Sequence, residues 1–171
     1  MFSDGKYYFA QEGTKVFFKL VGTLKYTAGS KFDTFLDNLF ESDNNFDEVL
    51  IDLSEADFLD STNLGFLARV AEYMDEEYGK KVTIYSPKEE INKLLESVGF
   101  DEVFILEKNI EKPERNLKEI SEEGQTDRSR SAMMLEAHKA LIKVCEKNAD
   151  VFCDVVDLLK KSVKKEEENK T

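Results

Sequence analysis

The hydrophobic positions of this chain change period several times, and each change predicts an element. Lys6–Gln11 and Lys15–Val21 are rich in Tyr, Phe and Val and are separated by Glu12, Gly13 and Thr14, which predicts a β-hairpin. Phe32, Phe35, Leu36, Leu39 and Phe40 then recur at helical spacing and predict an amphipathic helix over residues 27–41. Val49–Leu53 is a short apolar run suited to a strand covered on both faces. Leu64, Leu67, Val70, Ala71, Met74 and Tyr78 mark a second helix, which Gly79 stops. Val82–Tyr85 reads as a strand. Ser86 as N-cap, Pro87 at the first helical position and Glu89 as the far side of a capping box predict a third helix. Ile91, Leu94, Leu95 and Val98 are its buried stripe, Gly99 ends it, and Val103–Leu106 is a last strand.

The predicted order is β-β-α-β-α-β-α-β. Strands that alternate with helices should be parallel with right-handed crossovers, and the hairpin adds antiparallel pairing. The fold class is therefore α/β, a mixed β-sheet packed with α-helices. In such sheets ligands and modifications favour loops after the carboxyl ends of parallel strands. Here the first such loop is Ser54–Asn63.

After residue 106 the texture changes. Residues 108–130 are polar and contain Pro113 and Gly124, so they read as a linker, with a helical turn around Leu117 and Ile120. Beyond them Met134, Ala137, Leu141, Val144, Asn148, Val151, Val155 and Leu158 recur at spacings of three and four. Leu135, Ile142, Ala149 and Val156 widen that stripe. Residues 131–165 are thus a C-terminal amphipathic helix, about 50 Å long if unbroken, or a helical hairpin broken near Asn148–Asp150. A stripe this broad must be covered, either by its own chain or by self-association, and a homodimer through this extension is the preferred reading. Residues 166–171 are charged and expected to fray.

The composition is that of a folded chain, with 171 residues, 41% hydrophobic and 35% charged. Its net charge of −12 is lopsided: residues 1–106 carry −11 and residues 107–171 only −1. An acidic surface argues against direct nucleic-acid binding, because phosphates must be met by Lys and Arg. No apolar run reaches the roughly eighteen residues of a spanning helix, and the amino terminus carries no secretory pattern, so no membrane association is expected. Cys145 and Cys153, about 12 Å apart along a helix, cannot pair with each other and fit a reducing, cytoplasmic setting. No metal-ligand spacing and no glycine-rich phosphate loop is present, so neither a metal nor a cofactor is expected. His138, the only histidine, reads as a helix-face residue rather than a base, and no Ser/His/acid set assembles around it.

The loop SEADFLDSTN leads straight into the second helix. Ser61, Thr62 and Asn63 stand where an N-cap is needed, which is a sufficient structural reason for them. A phosphate on Ser61 would instead place about −1.5 to −2 charges at the positive end of a helix dipole. The fold would tolerate such a phosphate there and a docked partner would not, because Asp57 and Asp60 already make the loop acidic.

Asp52, Phe58, Asp60, Ser61, Thr62, Leu64 and Gly65, followed by Leu95, Gly99 and Phe100, resemble the pattern of the STAS family over residues 5–107. Within that family the pattern is similar to the bacterial anti-sigma-factor antagonists. Asn63 departs from it where Gly is common, and Gly22-Thr23-Leu24-Lys25 ends in Lys where the family has Asp. The resemblance implies a STAS-like domain over residues 1–107 and a non-enzymatic partner switch. It implies an anti-sigma factor that is also a serine kinase as partner, Ser61 as phosphoacceptor, and a serine phosphatase that resets it. Asp57, Asp60, Thr62, Asn63, Thr23 and Lys25 would then form the partner surface. Two other uses are open. A response-regulator receiver would need an acidic pair after its first strand, which is missing. A ligand- or nucleotide-binding STAS module, or a scaffold whose tail self-associates, would keep the fold and change its use.

Overall fold

The computed structural model describes residues 4–43, 45–110, 116–121 and 128–170. Strand β1 (Lys6–Glu12) and strand β2 (Lys15–Leu24) form the expected antiparallel hairpin, turning at Gly13 with φ +60°. In β2 alternate side chains enter the core: Val16, Phe18, Leu20 and Leu24 are buried. A single 3₁₀ turn (Tyr26–Ala28) precedes helix α1 (Ser30–Glu41), which buries Phe32, Leu36 and Leu39.

Strand β3 (Glu48–Asp52) pairs parallel with the first half of β2, and strand β4 (Ala56–Leu59) with its second half. Residues 54–63, which the sequence predicts as a loop, include strand β4. The difference arises because β2 has ten residues and offers its far half as a template. Between β3 and β4 the chain turns sharply, and the Asp52 carboxylate accepts the Ser54 N–H at 2.8 Å. Helix α2 (Ser61–Tyr78) follows β4 at once and ends at Gly79 in the left-handed conformation.

Strand β5 (Thr83–Tyr85) and helix α3 (Glu89–Ser97) come next. The capping box does not form: Lys88 occupies the N-cap without a side-chain bond, and Ser86 Oγ is buried without a hydrogen-bond partner. Gly99, with φ +76°, leads into a short helix α4 (Phe100–Val103) and then strand β6 (Ile105–Glu107). Strand β7 (Lys118–Glu119) stands where a helical turn was expected. It pairs antiparallel with β1, and Ile120 beside it is buried. The sheet order is β6-β5-β3-β2-β1-β7, with β4 also on β2. The expected mixed sheet is present, with β3, β5 and β6 parallel.

The C-terminal region is a helical pair, helix α5 (Arg130–Val144) and helix α6 (Asn148–Asn169), broken at Cys145–Lys147 rather than at Asn148–Asp150. Asn148 holds the break: its side-chain amide donates to the carbonyls of Val98 at 3.0 Å and Leu141 at 2.7 Å. Of the two readings, one long helix or a hairpin, the hairpin is present, and the apolar seam divides there. Met133, Ala137, Ala140 and Leu141 of α5 join the main core against α2, so α5 docks on its own chain. Val151, Val155 and Leu158 of α6 remain exposed. Helix α6 extends to Asn169, past the residue expected to fray.

Candidate functional site

The site is built where β4 feeds α2. Asp60, not Ser61–Asn63, is the N-cap, with extended backbone and a carboxylate directed at the helix N-terminus. Asp60 Oδ1 accepts the Asn63 N–H and the Asn63 side-chain amide, each at 2.9 Å, while Oδ2 accepts the Tyr26 N–H at 2.6 Å. That carboxylate is therefore spent on the fold. The charge of Asp57 is met by Lys88 at 3.3 Å, so the loop presents less free negative charge than its sequence suggests.

Asn63 completes a buried relay. Its side-chain carbonyl accepts the phenol proton of Tyr7, and both residues are fully buried. Burial first, and the Asp60 charge second, push the Tyr7 phenol well above its ordinary range, against the pull of its bond to Asn63. Thr62 and Asn63, expected on the partner surface, are both buried here and serve packing and the cap. The structural reason is helical phase: residues 62 and 63 turn inward as α2 begins. The exposed rim consists of Lys25, Asp57, Tyr26 and Phe58, with Thr23 half-buried behind them. Tyr26, an isolated aromatic in a loop-like stretch, carries no periodic signal, and Phe58 enters the sequence pattern as a family position rather than as part of the partner surface.

Ser61 is the first residue of α2 and is half-buried. Its Oγ lies 2.8 Å from His138 Nε2, and His138 Nδ1 lies 2.6 Å from the carbonyl of Met134. A carbonyl only accepts, so Nδ1 carries the proton; in the neutral ring Nε2 then accepts from the Ser61 hydroxyl. His138 is buried, with its ring 5.5 Å from that of Phe152 in an edge-on arrangement. His138 is a residue of a helix face, as read from the sequence, but that face is buried and bonded to Ser61. Seventy-seven positions separate the pair, and no local pattern could have joined them. The second ring nitrogen faces a backbone carbonyl rather than a carboxylate, so the pair lacks the orienting acid of a hydrolase triad.

Three further contacts hold the C-terminal region on α2 and α1. Gly65 faces the backbone of Ala137 so closely that an added Cβ would overlap its carbonyl. Lys143 bridges Glu72 at 2.6 Å and Glu76 at 2.9 Å, and its bond to Glu72 leads the causes that hold its ammonium above the ordinary range. Arg128, just ahead of α5, reaches Asp33 at 3.0 Å and Asp37 at 3.2 Å on α1, where Arg69 of α2 also binds. Burial pushes the Asp33 carboxyl up despite both guanidinium groups. Among the described residues no cluster of three His, Cys, Asp or Glu side chains could hold a metal, and no helix is long and apolar enough to cross a membrane.

The STAS domain family model matches residues 9–113, more than half of the chain. This protein belongs to the STAS family. A solved structure with a similar fold is that of the anti-sigma factor antagonist SpoIIAA in its unphosphorylated form. It has a TM-score of 0.53 at 12% identity, over 61% of this chain and 89% of that one. No curated protein matches the chain. Helices α5 and α6 lie beyond the residues matched to the STAS model.

Proposed function

We propose that this STAS protein is a non-enzymatic partner-switching regulator of the anti-sigma-factor-antagonist kind, working in the cytoplasm. Its partner is an anti-sigma factor that is also a serine kinase, and Ser61 is the residue that kinase phosphorylates. A serine phosphatase returns the chain to its binding form. The observation that carries the reading is the position of Ser61, the first residue of α2, directly after β4 and the Asp60 cap. A phosphate there gains the helix dipole but adds a dianion beside the Asp60 carboxylate, on the rim formed by Lys25, Asp57, Tyr26 and Phe58. A partner packed on that rim would be repelled. Incubating the protein with serine kinases of its own cell and ATP should label Ser61, as mapped by mass spectrometry, and Ser61→Ala should abolish the label. Absence of label with every kinase, together with partner binding that Ser61→Asp leaves unchanged, would refute the reading.

One observation favours a second use, as a self-assembling scaffold. Val151, Val155 and Leu158 form an exposed apolar strip on α6. Asp150, Asp154 and Asp157 lie in the first half of that helix, and Lys160, Lys161, Lys164 and Lys165 in the second. A second copy of α6 crossing antiparallel near Val155 would pair the apolar strips and set Lys160 beside Asp150 of the other copy. Light scattering should then give a dimer that Val151→Lys with Leu158→Lys converts to monomer. A monomeric wild type eliminates this use.

A further inference from the structure

We propose that α5 covers a second partner-binding face, on α2 beside Ser61, and that phosphate on Ser61 and α5 docked in place exclude each other. The proposal rests on the reading of Ser61 as phosphoacceptor and adds how access to it is controlled.

The contacts around Ser61 leave no slack. The hydroxyl is already bonded to His138 Nε2 at 2.8 Å, and that ring is fixed on its other side by the Met134 carbonyl at 2.6 Å. Four residues along α2, Gly65 touches the Ala137 backbone, so α5 is as near as two helices can come. A phosphoryl group adds three oxygens and about −1.5 to −2 charges where one hydroxyl proton now sits. It cannot be seated by a small slide of α5, because Gly65 already meets the Ala137 backbone and the His138 ring is held by the Met134 carbonyl. The helix must come away. A kinase likewise needs α5 displaced before it can reach the hydroxyl, so phosphorylation traps an opening that already occurs.

The layer is built to separate. The sheet core is filled by large side chains such as Tyr7, Phe18, Phe32 and Phe66, whereas α5 adds Met133, Ala137, Ala140 and Leu141 to it from outside, comes closest to α2 at Gly65 and carries ion pairs at its rim. The rim ion pairs contribute little, and α5 lies at the outside of the core, so it is the layer that can leave without opening the sheet. What α5 leaves behind is a shallow helix-receiving face with Glu72 and Glu76 at one end. The partner it fits is an amphipathic helix with a small residue over Gly65 and a Lys or Arg between the two glutamates, the features α5 itself supplies.

Hydrogen exchange of the full-length protein, read by mass spectrometry, tests this. Phosphoserine installed at position 61 during translation should speed exchange over residues 130–144 roughly tenfold while β3 and β5 keep their protection. Gly65→Ala should do the same without touching Ser61, and Lys143→Glu, a change at an exposed residue, serves as the opener if Gly65→Ala does not fold. Ser61→Ala, which removes one bond and adds no bulk, should leave α5 protected. Unchanged or increased protection of 130–144 in the phosphoserine protein overturns the proposal, as does loss of sheet protection together with α5. Opening by phosphate without any kinase that labels Ser61 would leave the cover standing and remove the regulatory function. Kinase labelling with α5 still protected would do the reverse.

Discussion

Replacing Tyr7 with Phe removes one oxygen from the centre of the molecule and little else. The ring stays stacked on Phe32, with centroids 4.6 Å apart. What is lost is the hydrogen bond to Asn63, whose side-chain carbonyl is then buried without a donor. Such an orphan costs about 1–3 kcal/mol. The phenol adds a pH signature that separates this bond from packing. In the unfolded chain Tyr7 loses its proton near pH 10, whereas burial in the fold holds that proton to higher pH. The stability it contributes is therefore full below pH 10 and is lost as the pH rises above that, by about 1.4 kcal/mol at pH 11. Urea unfolding of wild type and Tyr7→Phe at pH 8, 10 and 11 should show the wild-type advantage at pH 8 narrowing by about that amount at pH 11. Taking the difference between the two proteins cancels the titration of every lysine and of the other tyrosines. An advantage that stays constant to pH 11 would show that Tyr7 ionises alike in both states, and the buried relay from Tyr7 through Asn63 to Asp60 would be wrong.

Three other substitutions probe the tail and the end of α2. Leu141→Ala, in the core beneath α5, should cost about 2–5 kcal/mol in urea unfolding. Asn148→Ala should leave the carbonyls of Val98 and Leu141 without their donor and cost about 1–3 kcal/mol, with exchange rising first at residues 145–148. Gly79→Ala meets no neighbouring atom, so its expected loss of about 1 kcal/mol in thermal unfolding is the left-handed backbone strain alone.

Legibility in the sequence followed the range of the interaction. Period and turn chemistry are local, so the hairpin, α1, α2 and its Gly79 cap could all be read directly. Strand β4 could not, because Ala56–Leu59 is extended only by virtue of the unpaired far half of β2. The capping box at Ser86 fails because Ser86 is buried beside β6, its N–H donating to the Glu107 carbonyl at 2.8 Å, and α3 starts only at Glu89. At the site, Ser61 was visible through its place in the loop, whereas its bond to His138 joins positions 61 and 138 and has no local trace. Thr62 and Asn63 looked like surface donors because composition does not reveal helical phase at a first turn.

The acidic excess also takes on a different meaning once the tail is in place. Residues 1–106 carry −11 of the −12 net charge, which in the sequence argues only against direct nucleic-acid binding. Yet Asp33, Asp37, Glu72 and Glu76 lie on the helices that the C-terminal region contacts, and their counter-charges include Arg128 and Lys143 from that region. A partner that displaces α5 must therefore bring its own cations to Glu72 and Glu76 or leave two neighbouring carboxylates facing each other. Charge complementarity of this kind selects partners more strongly than it tightens binding. The chain's own Lys143 thus sets the standard that an incoming helix has to meet.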